Sequence, residues 1–132
     1  MIIKKNNQTI SNVNGVVIVT ADTVIIKGAT TVVLLSDTIN NCDIIADTVI
    51  IKGKCIGQSN KIDAKSINLM VDTIVYDNVL NAGVISIDKP LMLLSANNVF
   101  NADLVKHWHN NAYAGLDDEC YLGFGINAKK LT

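Results

Sequence analysis

The segment Ala21-Asp22-Thr23-Val24-Ile25-Ile26-Lys27-Gly28 occurs a second time, without a change, at residues 46–53. The same offset, counted again from Ala46, reaches a related segment at residues 71–78. One more such step reaches residues 96–103, which keep the apolar pattern with other residue types. A fixed period of this length is typical of stacked repeat units. The chain is therefore predicted to be a repeat protein.

Apolar columns accompany the octapeptide when the chain is written in rows of this period. They are Val17/Cys42/Ile67/Met92, Val19/Ile44/Leu69/Leu94 and Ala21/Ala46/Val71/Ala96. Neighbouring columns are separated by the side-chain period of a β-strand, so they share one face of a strand. A second strand is predicted from residues 24, 49, 74 and 99, and a third near residues 31–35 and 84–87. Asp, Asn, Thr and Gly separate these segments and favour bends.

Three short strands and three corners in each period predict one coil of a parallel β-solenoid, with about 25 residues in the coil. The fold is then all-β, with about four coils stacked along a rod. An antiparallel sandwich or barrel also has short strands and frequent turns, but it requires no fixed period. The composition, 49% hydrophobic and only 5% aromatic, predicts an aliphatic core.

In this period and these columns, residues 1–103 resemble the parallel β-helix proteins. That class includes phage tail spikes, adhesin shafts, pectin-lyase-like enzymes and bactofilins. The resemblance lies in the repeat and not in a family motif, and the Gly-rich pattern of bactofilins, with its shorter coils, is not seen. It therefore implies a fold and no functional residues. The composition changes after residue 103, so residues 104–132 are predicted to be a C-terminal cap or attachment segment.

The second predicted strand is apolar at three successive positions, as in Val24-Ile25-Ile26. If the first and third of these face the core, the middle one faces outward, and a strand that is apolar on both faces is normally covered on both. The outward column predicted as an oligomer interface is Ile25, Ile50, Val75 and Phe100. We expect a homo-oligomer, with a trimer as one arrangement.

The C-terminal segment holds the candidate ligand or attachment residues His107, Trp108, His109, Tyr113 and Tyr121. The segment His107-Trp108-His109 is similar to the His-x-His pairs that bind a metal on the axis of trimeric viral fibres. Two histidines are a weak signal, and polar histidines of the tail are the simpler interpretation. We expect neither a metal nor a cofactor. The cysteines are interpreted as small buried or half-buried thiols: Cys42, Cys55 and Cys120.

The formal net charge is −1 and the chain contains no Arg, which argues against a nucleic-acid partner. No signal peptide is recognised, and the apolar runs are too short to span a membrane. No phosphate loop, nucleophile elbow or zinc motif is present, so an enzyme is not expected.

These features lead to the hypothesis of a non-enzymatic structural protein that assembles through an apolar solenoid face. The setting that we favour is a virion, in which the chain would be a phage capsid-decoration, head-fibre or tail-fibre/spike protein made in the host cytoplasm. Capsid or tail proteins are then the expected partners. The Lys-, Asn- and Ile-rich composition without Arg, which AT-rich genomes tend to give, supports this setting. The alternatives are a carbohydrate- or surface-binding β-helix module and a bactofilin-like bacterial structural polymer.

Overall fold

The computed structural model describes residues 1–89, 93–94, 97–107 and 124–132. Within these ranges the chain forms twelve β-strands, and every described strand pair is parallel. The strands are β1 (Ile2–Ile3), β2 (Thr9–Val19), β3 (Ile25–Leu35), β4 (Thr38–Ile39), β5 (Asp43–Lys52), β6 (Cys55–Gln58), β7 (Lys61–Met70), β8 (Thr73–Tyr76), β9 (Val79–Ile87), β10 (Leu93–Leu94), β11 (Asn98–Lys106) and β12 (Phe124–Leu131). The predicted parallel β-solenoid is confirmed.

The strands form two sheets that the chain visits in turn. The two-residue β1 and the long strands make an eight-stranded sheet in the order β1-β2-β3-β5-β7-β9-β11-β12, and the other short strands make a four-stranded sheet in the order β10-β8-β6-β4. Each long strand therefore lies beside the long strand of the next coil, and the short strands between them stack in the same way. This is the winding of a solenoid.

Each long strand covers two sides of the rod because it bends in the middle. In β5 the buried residues are Ile44 and Ala46 before the bend, and Val49 and Ile51 after it. Side chains alternate strictly along a straight strand, so the extra residue between Ala46 and Val49 marks a corner. We call the part of each long strand before the bend the first side and the part after it the second side. The four-stranded sheet is the third side.

The coil is shorter than the repeat of the octapeptide. Asn60 and Asn78 occupy equivalent places on successive coils in the middle of the rod, and they are 18 residues apart. In the same register Ile44 pairs with Ile62, and Ile62 pairs with Leu80. The predicted coil of about 25 residues is therefore wrong.

The identical octapeptides consequently occupy different places in their coils. Ile26 of the first copy pairs with Ile44 on the first side, whereas the equivalent Ile51 of the second copy pairs with Leu34 on the second side. The step from one copy to the next is thus one full coil plus one further side of the rod.

The core consists of aliphatic columns that run along the rod, one residue from each coil. The largest are Ile26/Ile44/Ile62/Leu80/Phe100 on the first side, Val17/Val32/Val49/Ile67/Ile85/Val105 and Val19/Leu34/Ile51/Leu69/Ile87 on the second, and Ile39/Ile56/Ile74 on the third. A column of small residues lies at the bend of the long strands, where space is limited: Ala46, Ala64, Ala82, Ala102 and Ala128.

The parallel sheet continues beyond residue 103. β11 runs to Lys106, and β12 pairs with it along most of its length, from Asn98 opposite Phe124 to Val105 opposite Leu131. Ile126 and Ala128 of β12 pack against the core. Residues 124–131 therefore form a further strand of the long sheet, while the proposed division of the chain at residue 103 stays a prediction.

The corner between the third and the first sides is formed by one residue in the left-handed region of φ and ψ in each coil. These residues have φ between 53° and 63°, and they are Asn7, Thr23, Asn41, Ser59, Asp77 and Asn97. Asn and Asp adopt this conformation more readily than other residues with a Cβ. The same corner therefore recurs along the rod, and Asn or Asp occupies most of its positions.

A ladder of buried asparagines follows this corner; we call Asn60, Asn78 and Asn98 the inner ladder. All three are essentially inaccessible to solvent. The Nδ2 atom of Asn60 donates to Oδ1 of Asn78 at 2.9 Å, and Nδ2 of Asn78 donates to Oδ1 of Asn98 at 2.9 Å. Each amide also donates to a backbone carbonyl of the preceding coil, as Asn78 does to Gly57 at 2.9 Å. Buried amides are tolerated because their polar atoms are satisfied in this way.

We expect Asn78→Ala to lower the free energy of unfolding by about 2–4 kcal/mol, because it leaves the backbone N–H and the side-chain amide of Asn60 without their shared acceptor. Asn81→Ala is the matched control, because Asn81 is also an amide bonded between coils but faces outward. It should cost about 1 kcal/mol or less. Urea unfolding of both variants measures the difference, and equal losses would show that the inner ladder has no special role.

Val49→Asp should unfold the rod. Val49 is inaccessible to solvent and lies between Val32 and Ile67, so a carboxylate there has no polar partner and costs more than about 4 kcal/mol. Thr48→Asp, on the outward face of the same strand, should change stability by about 0.5 kcal/mol. Far-UV circular dichroism during thermal unfolding tests both, and a folded Val49→Asp protein would contradict the described register.

Candidate assembly face

The central outward column of the second side changes from apolar to polar along the rod. It begins with Ile2, Ile18, Val33 and Ile50, which pair in that order across four successive coils. It continues with polar side chains on the next three coils: Asn68, Ser86 and Lys106. We call the outward surface of the second side the assembly face, and its first four levels the apolar half.

The apolar half is exposed to solvent at its edges and half-buried along its centre. Ile2 is 57% exposed, Val16 is 52% exposed and Leu35 is 46% exposed, whereas Ile18, Val33 and Ile50 are half-buried by their neighbours in the column. Thr31 and Thr48 continue the flanking column that starts at Val16. The outward positions described on these four levels include Lys4 and Lys52 at the border and no carboxylate.

The alternation of the strand explains why these residues face outward. In β2 the inward positions are taken by Val17 and Val19, which fill the core, so Val16 and Ile18 must point to solvent. Coils lie about 4.8 Å apart and residues within a strand about 3.3 Å apart, so four levels of a five-residue segment cover about 300 Å². The patch combines the apolar central column with flanking threonines and lysines, and clusters of exposed apolar side chains often mark an interaction site.

The outward column predicted from the period of the octapeptide is wrong. Ile25 lies on the first side, where it pairs with Thr9 and Asp43; Ile50 lies on the second side; and Val75 lies on the third side, in β8. Phe100 is fully buried between Leu80 and Ile126, so it belongs to the core and not to an outer surface. Ile25, Ile50 and Val75 do point outward, but only Ile50 belongs to the assembly face.

Most of the predicted attachment residues lie outside the described residues. These are Trp108, His109, Tyr113 and Tyr121, and their part in binding stays a prediction. His107 is described: it follows β11, is exposed, and has its Nε2 atom 4.0 Å from Oδ1 of Asp88. In the part of the chain that the structure describes, no cluster of three or more His, Cys, Asp or Glu side chains could hold a metal ion.

The first side presents a mixed surface, on which Ile45 is 49% exposed beside polar side chains. Its outward column holds an outer ladder, Asp63, Asn81, Asn101 and Asn127, which crosses four coils. Nδ2 of Asn81 donates to Asp63 at 2.7 Å, Nδ2 of Asn101 donates to Asn81 at 2.7 Å, and Nδ2 of Asn127 donates to Asn101 at 2.9 Å. These bonds join four successive coils along the surface of the first side.

Exposed ion pairs add to the polar surface at the corners. They join Lys65 to Asp47 at 3.5 Å, Lys129 to Asp103 at 3.2 Å and Lys89 to Asp72 at 2.8 Å. Pairs as exposed as these contribute little to stability. They do mark the corners as solvated.

The two described thiols lie at different depths. Cys42 is buried in the column that continues as the inner ladder, and its Sγ–H donates to the carbonyl oxygen of Asn40 at 3.5 Å. Burial raises the pKa of the Cys42 thiol, and the carboxylate of Asp22 adds to this effect. Burial also raises the pKa of Cys55, which is only half-buried. Because the thiolate is the nucleophile, neither environment activates the sulfur.

We expect iodoacetamide at pH 8 to modify Cys42 much more slowly than Cys55 in the folded protein, because Cys42 is inaccessible and its thiol stays protonated. In denaturant the two should react at equal rates, which serves as the internal control. Peptide mass spectrometry of timed samples measures both sites. Rapid modification of Cys42 in the folded chain would show that the corner opens.

The sequence does contain a signal for the true coil length. Asn60, Asn78 and Asn98 each begin a pentapeptide of the form Asn, any residue, a large apolar residue, Asp or Asn, and Ala. The first two asparagines are 18 residues apart and the last two are 20 residues apart. In the structure the Asn joins the inner ladder, the apolar residue enters the core, and the Ala lies at the bend.

Among the described residues, the structure contains no helix long and apolar enough to cross a membrane. Comparison with known proteins adds no family: no protein-family model, no curated protein and no solved structure matches this chain.

Proposed function

We propose that this chain is a structural protein that associates with copies of itself through the assembly face. The observation that supports this proposal is the column Ile2, Ile18, Val33 and Ile50, which places apolar side chains at the surface on four successive coils. The role is mechanical and not catalytic: a short rod with a continuous aliphatic core presents one apolar side to its neighbours.

Coverage of this face would remove apolar surface from water. Roughly half of the outward side chains in the patch of about 300 Å² are apolar, so their burial contributes about 4 kcal/mol for each copy before the costs of association. Those costs are of similar size, since two bodies lose translational and rotational freedom when they join. Association through this face therefore depends on good packing over a large part of it.

The setting that we propose is a virion, where the rod would serve as a decoration, fibre or spike component beside capsid or tail proteins. The absence of Arg and the abundance of Lys, Asn and Ile, which AT-rich genomes tend to give, support this setting. Genes for capsid and tail proteins next to the gene for this chain would support the setting. A neighbourhood of cell-envelope or cytoskeletal genes would contradict it.

We expect the chain to be oligomeric at micromolar concentration and Val33→Lys to shift it to monomer, because a lysine in the centre of the apolar half cannot be desolvated cheaply. The weakening should be at least about tenfold in dissociation constant. Multi-angle light scattering and native mass spectrometry measure the change. Thr38→Lys is the matched control, since Thr38 is exposed on the third side, and it should leave the mass unchanged.

Two outcomes would contradict this proposal. A wild-type chain that stays monomeric at micromolar concentration would show that the face is not used for self-association. An oligomer that Val33→Lys leaves intact, with Val33→Lys still folded by circular dichroism, would show that another surface joins the copies.

A further inference from the structure

We propose that the Asn14-Gly15 dipeptide is a site of spontaneous covalent modification, at which water converts the side-chain amide of Asn14 to a carboxylate through a cyclic imide. The modification needs no second copy of the chain, so this inference does not depend on the proposed self-association. It follows from the one Asn-Gly sequence in the chain, from the bulge that holds it and from the open space around it.

The bulge leaves this dipeptide outside the hydrogen-bonded ladder of β2. The register of β2 against β3 shifts between Val13 and Val16. Asn14 and Gly15 therefore lie together opposite Thr30, as in a β-bulge, whose extra residue is left unpaired. On its other edge β2 is paired, among the described residues, only near its C-terminal end, so no described strand covers the bulge there. The backbone of the dipeptide is thus held less firmly than that of a paired strand.

The two reacting groups are accessible to each other and to water. Asn14 is exposed, and its side-chain amide has no hydrogen-bond partner within the described part of the chain. The backbone N–H of Gly15 donates to Oγ1 of Thr30 at 3.3 Å, which is longer than a good N–H···O hydrogen bond. Gly15 has a φ of 102°, and apart from its chain neighbours no described atom would lie within 4 Å of a Cβ built there. The Gly15 nitrogen therefore meets no steric obstacle on its way to the Asn14 side chain.

The reaction consumes only water. The backbone nitrogen of Gly15 loses its proton to solvent and attacks Cγ of Asn14, an intramolecular step that proximity accelerates. The new C–N bond closes a succinimide ring, and the Cγ–Nδ2 bond breaks as ammonia leaves with a proton from water. A water molecule then opens the ring at either carbonyl, giving aspartate or isoaspartate. Each event replaces a neutral amide by a carboxylate and makes the chain one unit more negative.

The bulge also accommodates the product. Isoaspartate lengthens the backbone by one methylene, and the bulge already carries one residue more than the strand beside it. The core residues on either side, Val13 and Val17, precede and follow this point and keep their places in the columns. We therefore expect the modified rod to remain folded.

Incubation of the full chain in warm, mildly alkaline buffer tests the site. Cleavage at lysine releases residues 6–27 as one peptide, and fragmentation of this peptide in the mass spectrometer locates the replacement of –NH2 by –OH. Asn12 is the matched internal control, because it is exposed in the same strand but precedes Val13, whose branched side chain hinders attack. Asn14 should be modified at least about tenfold faster than Asn12, a difference of about 1.4 kcal/mol in activation free energy.

A parallel incubation in guanidinium chloride measures the contribution of the fold. Asn14 should react in the folded chain no more than about threefold more slowly than in the unfolded chain, because the bulge gives it little protection. An Asn14→Gln variant, in which the ring would be larger and would form much more slowly, should lose the acidic shift of this peptide. Its circular dichroism shows that it is folded.

Three results would overturn this inference. The first is equal rates at Asn14 and Asn12 in the folded chain. The second is a rate at Asn14 that folding lowers by more than about tenfold, which would show that the bulge is rigid. The third is loss of cooperative thermal unfolding in step with the modification, which would show that the backbone of Asn14 is part of the ladder.

Discussion

The buried amides that follow the left-handed corners at Ser59, Asp77 and Asn97 are the constraint on which the C-terminal half of the rod depends. An amide in an aliphatic core must satisfy both its donor and its acceptor, and here it does so largely through the coils directly above and below. Asn60, Asn78 and Asn98 therefore hold successive coils in one register. Once this register is set, the apolar columns, the bend at the alanines and the outward columns all follow, because strict alternation along each strand assigns every other side chain.

The fold class could be predicted from local patterns, but the coil length could not. Alternation of apolar and polar residues is a property of neighbouring positions, and it identifies strands and corners wherever they lie. It does not say which side of the rod a strand belongs to, because all three sides place apolar residues inward with the same period. An exact octapeptide can therefore occur twice, once from the corner into the first side and once along the second side, and satisfy the core in both places.

The same distinction accounts for what was and was not predicted about the assembly face. Local alternation correctly places Ile25, Ile50 and Val75 outward, because each directly follows a buried residue. Which of these residues share a face depends on the coil length. Because the predicted coil was too long by one side of the rod, the three residues lie on three different sides. The same error placed Phe100 on the outer surface, whereas it is buried in the core. The correct period was carried by the Asn and Ala residues of the recurring pentapeptide, whose role at a corner and a bend is clear only in three dimensions.

The outer ladder also gives the rod an electrical sense along its axis. Its amides all donate towards the N-terminal end, from Asn127 through Asn101 to Asn81 and Asp63. The inner amides donate in both senses, because Asn60 and Asn78 bond both to the next asparagine and to a carbonyl of the preceding coil. Aligned amides in a row polarise one another, so the outer row acts as a small dipole that ends at the carboxylate of Asp63. The surface of the first side is therefore electrically different at the two ends of this row.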